Sequence, residues 1–305
     1  MGKFILNTPV AFLIFNRPET TVRIFEEIRK AKPKKLFVVA DGPGENKEGE
    51  EEKCNAARKI IEKVDWDCEI LKNYSPTNLG CKKRISSGIS WVFDNVDEAI
   101  FLEDDCMPNQ SFFRYCQELL EFYKDDERVM MISGNNFQKK KVTGYSYYFS
   151  LYSHIWGWAS WKRVWQKYDV EMKLWPEIKR RKSLEYWLGR KKAVEHWTEE
   201  FDFAYSNKID TWDFQFLFTC WINHGLSILP EVNLVSNIGF GSGTHTTKPD
   251  HKSSNIPSAE ISFPLRHPPC MMRNMEADIY EEDNYILFSL PGKVKKKIKE
   301  IIKKN

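Results

Sequence analysis

Three adjacent carboxylates follow a short apolar run in the first half of the chain. Glu103-Asp104-Asp105 comes directly after residues 99–102, a run typical of a buried strand. Side chains of like charge repel one another, and burial worsens the repulsion. A hard divalent cation such as Mn²⁺ or Mg²⁺ would neutralise the cluster, sharing its coordination with phosphate oxygens of a substrate. The alternative is a helix start capped by Asp105 or Asn109. We favour the metal site.

Two further acids and one histidine are candidates for catalysis. Asp213 lies in the apolar segment 212–222, where burial would raise its pKa and favour a role as general base. Asp210 is a rival for that role, and Asp213 could instead cap the following helix. His245 stands in the glycine-rich segment 236–247, where it either supplies a nitrogen ligand to the metal or is simply exposed.

The elements that must position these residues alternate in type over the first 133 residues. Apolar runs of strand length are separated by segments of helical periodicity; the runs are residues 10–15, 36–40, 68–71, 98–102 and 129–133. This order predicts βαβ units, and hence an α/β fold with a mostly parallel sheet flanked by helices. Such sheets bind ligands at the carboxyl ends of their strands.

Polar residues follow several of the predicted strands and should converge on that edge of the sheet. They are Asn16, Arg17, Asp41, Asn78 and Gly80, which join Glu103-Asp104-Asp105. Each has a plainer interpretation, because Asp41 precedes Gly-Pro as turn residues do and Arg17 could be a surface charge.

Lys82 and Arg84 lie at the start of the third predicted helix, where backbone N–H groups attract anions. Either could contact a phosphate, or both could belong to a solvated helix face. No glycine-rich phosphate loop follows the first strand. Phosphate recognition must therefore come from a cation and basic side chains.

The second half is aromatic and completes the site. The segment 156–161 is the densest aromatic cluster, in which Trp156 could stack on a sugar ring and Gly157 would let the backbone approach a ligand; packing between the halves is the alternative. We expect one domain with a nucleotide-binding half (residues 1–135), an acceptor and catalytic half (136–260), and a C-terminal extension (261–305). Residues 293–304 read as a basic amphipathic helix, which either contacts an anionic membrane or docks on the protein.

Composition excludes several classes of protein. The 305 residues carry a net charge of +3, too little to indicate a nucleic-acid partner. Seven cysteines without metal spacing, and no apolar stretch of membrane-spanning length, favour a cytoplasmic protein with reduced thiols, at most peripheral to the inner face of the membrane.

Five segments in order resemble the GT-A nucleotide-sugar transferases, most closely the N-acetylglucosaminyltransferase I type. They are Leu13-Ile14-Phe15-Asn16-Arg17-Pro18, Val38-Val39-Ala40-Asp41-Gly42, Asn78-Leu79-Gly80, Phe101-Leu102-Glu103-Asp104-Asp105 and Ile155-Trp156-Gly157-Trp158. The resemblance covers roughly residues 5–250 and implies a GT-A-like, Rossmann-like fold.

The resemblance also implies roles for individual residues. Asp105 would be the direct Mn²⁺ ligand, and Glu103 or Asp104 would contact the ribose or sugar of the donor. Arg17 would meet the donor, and Asp41 would accept a hydrogen bond from a uracil N–H. The family's base lies in a pair of adjacent acids; here Phe214 follows Asp213, so the register leaves Asp210 open.

The sequence thus predicts an inverting, metal-dependent transfer of GlcNAc or a related sugar from a UDP-sugar to a glycan or lipid-linked acceptor. One alternative is a sugar-phosphate nucleotidyltransferase, which would normally show a glycine- and base-rich loop after the first strand. The other is a non-catalytic glycan-binding or membrane-surface scaffold.

Overall fold

The first half of the chain alternates strands and helices in a computed structural model that describes residues 4–240 and 253–287. Its elements are β1 (Val10–Ile14), α1 (Pro18–Ala31), β2 (Lys35–Ala40), α2 (Glu50–Ile60), β3 (Glu69–Tyr74), α3 (Cys81–Asn95), β4 (Glu98–Glu103), β5 (Cys106–Pro108), α4 (Gln110–Phe122) and β6 (Val129–Ser133). The five predicted strands are all present, each within a few residues of its expected bounds.

The second half contributes short helices and four more strands. They are β7 (Tyr147–Ser150), β8 (Trp158–Trp161), α5 (Lys162–Trp165), α6 (Trp175–Arg180), α7 (Ser183–Leu188), α8 (Lys191–Tyr205), α9 (Asp213–Ile222), β9 (Leu226–Pro230), β10 (Val235–Asn237) and α10 (Met275–Glu281). Helices α7 and α8 are separate, because the chain turns between them at Gly189 with a φ of 70°.

Eight strands form one mixed sheet in the order β3-β2-β1-β4-β8-β6-β9-β7. The pairs β1–β2, β1–β4, β2–β3 and β6–β9 are parallel. The pairs β4–β8, β6–β8 and β7–β9 are antiparallel. Both predicted halves therefore share a single α/β sheet, and the predicted fold class is confirmed. A separate two-stranded ribbon joins β5 to β10.

Strand β8 is the main departure from the sequence-based expectation. It lies between β4 and β6 in the middle of the sheet, where the aromatic segment had been expected to face a ligand. Trp158 is fully buried and stacks on Phe101 with ring centroids 4.4 Å apart. Trp161 is also buried. The aromatic run is strand core at these positions, because alternate side chains of a central strand face the two covered sides of the sheet.

The helix starts show how the local sequence directs the chain. Proline at the first position begins α1, where its missing N–H costs nothing. Asn109 caps α4 by accepting a hydrogen bond from the backbone N–H of Phe112. Asp105 is therefore not the cap of that helix. Its carboxylate remains at the end of β4.

The C-terminal segment docks on the β7 edge through buried ionic contacts. Asn274 N donates to Phe149 O at 2.8 Å, which places α10 beside the sheet. Asp278, Glu281 and Glu282 are each at most 1% exposed. Burial of charged groups is tolerated only with partners, and the partners here are basic side chains and hydroxyls from the rest of the domain.

Several whole-chain expectations have simple outcomes. All seven cysteines are free thiols. In the portion of the chain that the structure describes, no helix has the length and apolar character required to cross a bilayer. Residues 293–304 and His245 lie outside the described residues, so the basic helix and the nitrogen ligand stay predictions. The first two residues of the glycine-rich segment 236–247 belong to strand β10.

Candidate active site

Two clefts open at the carboxyl ends of β1, β2 and β4. The strand-end cleft, of about 310 Å³, is lined by Asp41, Asn78, Arg84 and Asp104 among others. The aromatic cleft, of about 730 Å³, is lined largely by residues from the chain before β8, from α8, from α9 and the loop before it, and from the chain after β10; these include Trp156, Glu200, Trp212, Asp213, Phe214 and Phe240. Residues predicted from distant parts of the sequence are thus gathered at one edge of the sheet, as expected for a parallel α/β sheet.

The two clefts meet over the acidic triplet. Arg17, Cys81, Glu103 and Asp210 line both of them. Asp104 lines only the strand-end cleft, whereas Asp105 lines only the aromatic cleft. A ligand that spans the junction would therefore pass directly across the three acids.

The triplet is folded differently from a regular strand. Strand β4 ends at Glu103, and the chain turns at Asp104 and Asp105. Asp104 Oδ2 accepts a hydrogen bond from the backbone N–H of Phe15 at 2.9 Å. Arg17 Nη1 lies 2.6 Å from Asp105 Oδ2 and 3.4 Å from Asp104 Oδ1. In a regular strand, successive side chains point to opposite faces of the sheet. The turn at Asp104 and Asp105 breaks this alternation, and the guanidinium of Arg17 reaches both of these carboxylates.

Burial and mutual repulsion shift the pKa values of this cluster. Burial, followed by Asp105 and Asp104, raises the pKa of Glu103 well above its usual range. Burial and Asp105 raise the pKa of Asp104 to about 7, against the opposing effect of Arg17. Burial alone would lower the pKa of Arg17, but the neighbouring acids outweigh it and raise that pKa. Arg17 thus offsets only part of the cost of burying three adjacent carboxyl groups.

A divalent cation fits the chemistry of this cluster. Glu103 Oε1 is buried without a hydrogen-bond partner, so one oxygen of the site is left unsatisfied. Carboxylate oxygens are the ligands that Mn²⁺ and Mg²⁺ take. Within residues 4–240 and 253–287, no three His, Cys, Asp or Glu side chains are arranged as a complete metal site. Further ligands would have to come from a bound diphosphate, as Mg²⁺ sites at substrate phosphates commonly require.

Asp41 and Asn78 join the ends of β2 and β3. Asp41 is buried and accepts hydrogen bonds from the backbone N–H groups of Gly42 at 2.9 Å and Leu79 at 3.0 Å. Asn78 donates to Gly42 O at 3.1 Å. Burial raises the pKa of Asp41, although the backbone N–H of Leu79 and other donors oppose the shift. Asp41 therefore does stabilise the turn after β2, and its side chain also lines the strand-end cleft.

Arg84 is a buried base at the floor of the same cleft. It is 5% exposed, and its Nη2 donates to Asn73 O and, at 3.1 Å, to Asn73 Oδ1. Its Nε is buried without a partner. Burial lowers the pKa of this guanidinium, and Asp41 opposes the shift. An arginine held here can donate to a polar ligand that enters beside Asp41.

The start of α3 is occupied by a carboxylate of the chain itself. Asp210 Oδ2 accepts from the backbone N–H of Cys81 at 2.8 Å, and its Oδ1 accepts from that of Lys82 at 2.9 Å. The Lys82 ammonium donates to Asn207 Oδ1 at 2.7 Å. The start of α3, where the sequence suggested that a phosphate could bind, is thus already occupied by the carboxylate of Asp210.

Asp213 begins α9 and lines the aromatic cleft. The hydroxyl of Thr211 donates to Asp213 Oδ1. Cys81, Glu103 and Asp105 line the same cleft. The charge of Asp213 contributes to the raised pKa values of both Glu103 and the Cys81 thiol. Phe214 and Trp212 flank Asp213 in the sequence, and Trp212 is buried. The candidate base therefore shares the aromatic cleft with Glu103 and Asp105.

Cys81 lines both clefts. Burial, and then Glu103, Asp213 and Asp210, raise the pKa of its thiol above the usual range. Because the thiolate is the reactive form, this environment disfavours a nucleophilic role for Cys81.

Trp156 is the member of the aromatic segment that reaches the cleft. Its ring makes edge contacts with Phe137 at 5.3 Å and Phe240 at 5.7 Å between centroids. Gly157 has a φ of 67°, and a Cβ there would come within 2.7 Å of Val235. Gly157 is therefore required by packing against β10, and it lines neither cleft.

Two other predicted residues stand beside the clefts. Asn16 donates to Glu50 Oε1 at 2.8 Å and belongs to the wall behind the strand-end cleft. Glu50 also accepts from the backbone N–H of Gly44 at 2.7 Å. Lys82 lines neither cleft.

Sequence reasoning missed several residues that line the clefts. Lys47, Glu50 and Cys81 belong to the strand-end cleft, and Glu200, Phe214 and Phe240 to the aromatic cleft. Glu200 lies inside α8 with no motif around it, so nothing in the sequence singled it out. Phe240 stands in the glycine-rich segment, which was the one available signal.

Packing explains why one position of the glycine-rich segment, Gly239, carries no side chain. A Cβ at Gly239 would collide with the carboxylate of Asp105, and Ile238 N donates to Asp105 O at 2.8 Å. The chain leaving β10 is therefore packed directly against the acidic triplet.

Comparisons with known proteins give only remote similarities. No protein-family model and no curated protein matches the chain. Among solved structures, it is similar to the 4-diphosphocytidyl-2C-methyl-D-erythritol synthase of Anaerococcus prevotii DSM 20548, with 10% identity and a TM-score of 0.34 over 53% of this chain and 76% of that one. It is also similar to HddC of Yersinia pseudotuberculosis complexed with GMP-PN, with 9% identity and a TM-score of 0.33 over 52% and 80% of the two chains.

Similarity at this level carries no inference about the activity of the chain. Neither of these structures is described as a glycosyltransferase. The resemblance to the GT-A family, and to its N-acetylglucosaminyltransferase I type, is therefore not confirmed and stays a prediction.

Proposed function

We propose that this chain is a metal-dependent transferase that binds a sugar nucleotide in the strand-end cleft and passes the sugar to an acceptor in the aromatic cleft. The observation that carries the proposal is the junction of the two clefts over Glu103, with Arg17 and Asp210 shared by both. A group-transfer enzyme needs two substrate compartments that meet where the bond is broken, and this arrangement supplies them.

The strand-end cleft suits the nucleoside. Asp41 offers a carboxylate to an N–H of the base, and Arg84 offers a donor to a carbonyl beside it. The edge of uracil presents one N–H between two carbonyl oxygens, so this pair is complementary to a uridine nucleotide. UDP-sugar is therefore the donor that we propose.

Glu103-Asp104-Asp105 would hold the diphosphate through a divalent cation, with Asp105 as the direct ligand. Mn²⁺ or Mg²⁺, when bound, neutralises charge that develops on the departing diphosphate. Arg17 already lies against Asp105 and can donate to the same phosphate oxygens. Because Glu103 faces both clefts, it or Asp104 would contact the ribose or sugar.

Asp213 would act as general base. The acceptor oxygen attacks the anomeric carbon while the bond from that carbon to the diphosphate oxygen breaks, and the hydroxyl proton passes to the carboxylate of Asp213. The direct displacement inverts the anomeric configuration.

Sugar-phosphate nucleotidyl transfer is the second candidate, because it too would use a nucleotide cleft, an adjoining cleft for the sugar and a divalent cation. A nucleotidyltransferase would need to cradle a nucleoside triphosphate. The turn after β1 reads Phe15-Asn16-Arg17-Pro18 and offers no run of free glycine amides for that purpose.

One assay separates the two candidates. The purified protein is incubated with a panel of UDP-sugars and Mn²⁺, without acceptor, and released UDP is measured. We expect slow release that EDTA abolishes. Pyrophosphate production from UTP and a sugar 1-phosphate would instead establish the nucleotidyltransferase. If neither product forms and the protein binds neither UDP nor UTP in the presence of Mn²⁺, both enzymes are excluded in favour of a non-catalytic scaffold.

A further inference from the structure

Asp210 lies on the loop between α8 and α9, and its carboxylate bridges the two clefts. Both oxygens accept backbone hydrogen bonds from the first residues of α3, at 2.8 Å from Cys81 N and 2.9 Å from Lys82 N. Amide groups in the first turn of a helix have no partner within the helix. The side chain of Asp210 supplies that partner from 128 residues away.

The shape of the α3 terminus is adapted to this contact. Gly80 precedes the helix with a φ of 79°, a conformation that side chains disfavour. A Cβ at Gly80 would lie only 2.8 Å from Asp210 Oδ2. The glycine therefore permits the close approach of the carboxylate as well as the turn of the backbone.

The loop that carries Asp210 also carries the candidate base. Residues 209–214 all line the aromatic cleft. Trp212, the residue before Asp213, is buried in an aromatic stack with Trp158, at 5.6 Å between centroids. Asp210, three residues before Asp213, is bound to the start of α3. The segment that leads into Asp213 is thus held at two points.

We propose that Asp210 is a positioning residue, which fixes the segment 209–214 to the start of α3 and thereby holds Asp213 over the acidic triplet. The expected effect of Asp210 on turnover rests on the proposed function, whereas its contact with α3 does not. The same geometry argues against Asp210 as the base, since both of its oxygens already face backbone donors of α3. Because Asp210 already accepts the backbone hydrogen bonds at the start of α3, the donor phosphate would bind elsewhere in the site.

The contact is tested first without any assay of activity. Hydrogen exchange at the amides of Cys81 and Lys82 is compared between the wild type, Asp210→Ala and Asp210→Asn. We expect exchange ~5-fold faster in Asp210→Ala, the usual effect of losing a helix cap, and a smaller change in Asp210→Asn, which keeps one acceptor oxygen. Exchange of residues 211–214 should also increase in Asp210→Ala. Unchanged exchange at both places would overturn the proposal.

The positioning role is tested by turnover and its pH dependence. UDP release is measured with UDP-sugar and Mn²⁺ for Asp210→Asn, Gly80→Ala and Asp213→Asn. A misplaced base should lower kcat of Asp210→Asn by ~10-fold, with the donor KM nearly unchanged and the shape of the pH profile preserved. Gly80→Ala should behave alike, because its methyl group pushes on the same carboxylate.

The alternative roles of Asp210 give different results. Loss of the acidic limb of the pH profile in Asp210→Asn but not in Gly80→Ala would identify Asp210 as the base and overturn the proposal. A lower Tm with an unchanged kcat would show a merely structural cap, which also overturns it. If the wild type releases no UDP from any donor, the proposed function fails, whereas the exchange experiment still decides whether Asp210 holds the segment 209–214.

Discussion

At the scale of single residues, Arg17 organises the acidic triplet. It pairs with Asp105 at 2.6 Å and thereby supplies the positive charge nearest to the triplet. Its contact with Asp104 is longer, at 3.4 Å, and Glu103 keeps an oxygen without a partner. One guanidinium does not offset the burial and mutual repulsion of three acids, and a bound divalent ion would favour their charged forms. Arg17 could then turn to the phosphate oxygens.

The first prediction concerns Asp105. Replacing it with asparagine removes the carboxylate expected to ligate the cation directly, so Asp105→Asn should abolish Mn²⁺-dependent binding of UDP. Calorimetric titration with UDP, with Mn²⁺ and then with EDTA, measures this. Asp67→Asn, at an exposed position, is the matched control and should bind as the wild type does. Near-normal Mn²⁺-dependent binding by Asp105→Asn would contradict the ligand role.

The second prediction concerns Asp213. Asp213→Asn keeps the size of the side chain but removes its ability to accept a proton, so UDP binding should persist while UDP release falls by ~10²–10⁴-fold. Titration and turnover on the same preparation measure the two effects. A variant that retains full turnover would exclude Asp213 as the base.

At the scale of elements, the sequence predicted those whose burial pattern is strong. Strands β1, β2, β4 and β6 were recognised because both of their faces are covered, which produces continuous apolar runs such as residues 36–40. Strand β3, at the edge of the sheet, is partly exposed. Strand β8 was missed because Trp158 and Trp161 resemble a ligand-binding cluster until their neighbours across the sheet are known. The pairing of Arg17 with Asp105 joins residues 88 positions apart, so no local pattern could reveal it.

The docking of the C-terminal segment has a consequence for stability against pH. Burial raises the pKa of Asp278 from 3.8 to about 6, against the opposing effect of Arg273. Burial alone would lower the pKa of His154, but Glu281, 2.8 Å away, raises it above 6.5. Glu282 faces Arg190 and the hydroxyl of Tyr152 in the same interface.

Both shifts act in the same direction. The folded state holds the proton of Asp278 more tightly than the unfolded state, so stability is lost as the pH rises from about 4 to about 6. His154 likewise stabilises the folded state below its unfolded pKa, and that contribution is lost as the pH rises through its raised folded pKa. The change at Asp278 corresponds to up to ~3 kcal/mol.

The third prediction follows from this loss of stability with rising pH. The free energy of local opening of residues 274–286, measured by hydrogen exchange with the intrinsic rates corrected, should be larger at pH 5 than at pH 8. Asp278→Asn and His154→Gln should each flatten the dependence, whereas Asp67→Asn should leave it unchanged. An equal or greater opening free energy at pH 8 in the wild type would contradict this account of the interface.

At the scale of the whole molecule, the fold class followed from the order of elements, whereas the completed site did not. The first half places Asp41, Arg17 and the acidic triplet along one edge of the sheet, as parallel topology requires. The second half supplies the aromatic cleft from α8, α9 and connecting chain. Helical periodicity indicates which face of α8 is buried but not which of its polar residues reaches a cleft, so Glu200 could only be found in three dimensions. Phe240 lies in connecting chain, where periodicity gives no guidance.

The fourth prediction concerns the charge of the acceptor. Five acids line the aromatic cleft (Glu103, Asp105, Glu200, Asp210 and Asp213), and Arg17 is the one cation among its described lining residues. An anionic group that enters the cleft would be repelled. We expect a neutral oligosaccharide to be used ~10-fold or more in preference to the same compound bearing a phosphate or carboxylate near the reacting hydroxyl. Competition between the two forms measures this, and preference for the charged form would contradict it.

The common floor of the two clefts has a practical consequence for inhibitor design. Since Arg17, Cys81, Glu103 and Asp210 line both compartments, a nucleoside seated beside Asp41 and a ring resting on Trp156 would lie against the same four side chains. A single small molecule that tethers the two fragments would engage both regions while losing translational freedom only once.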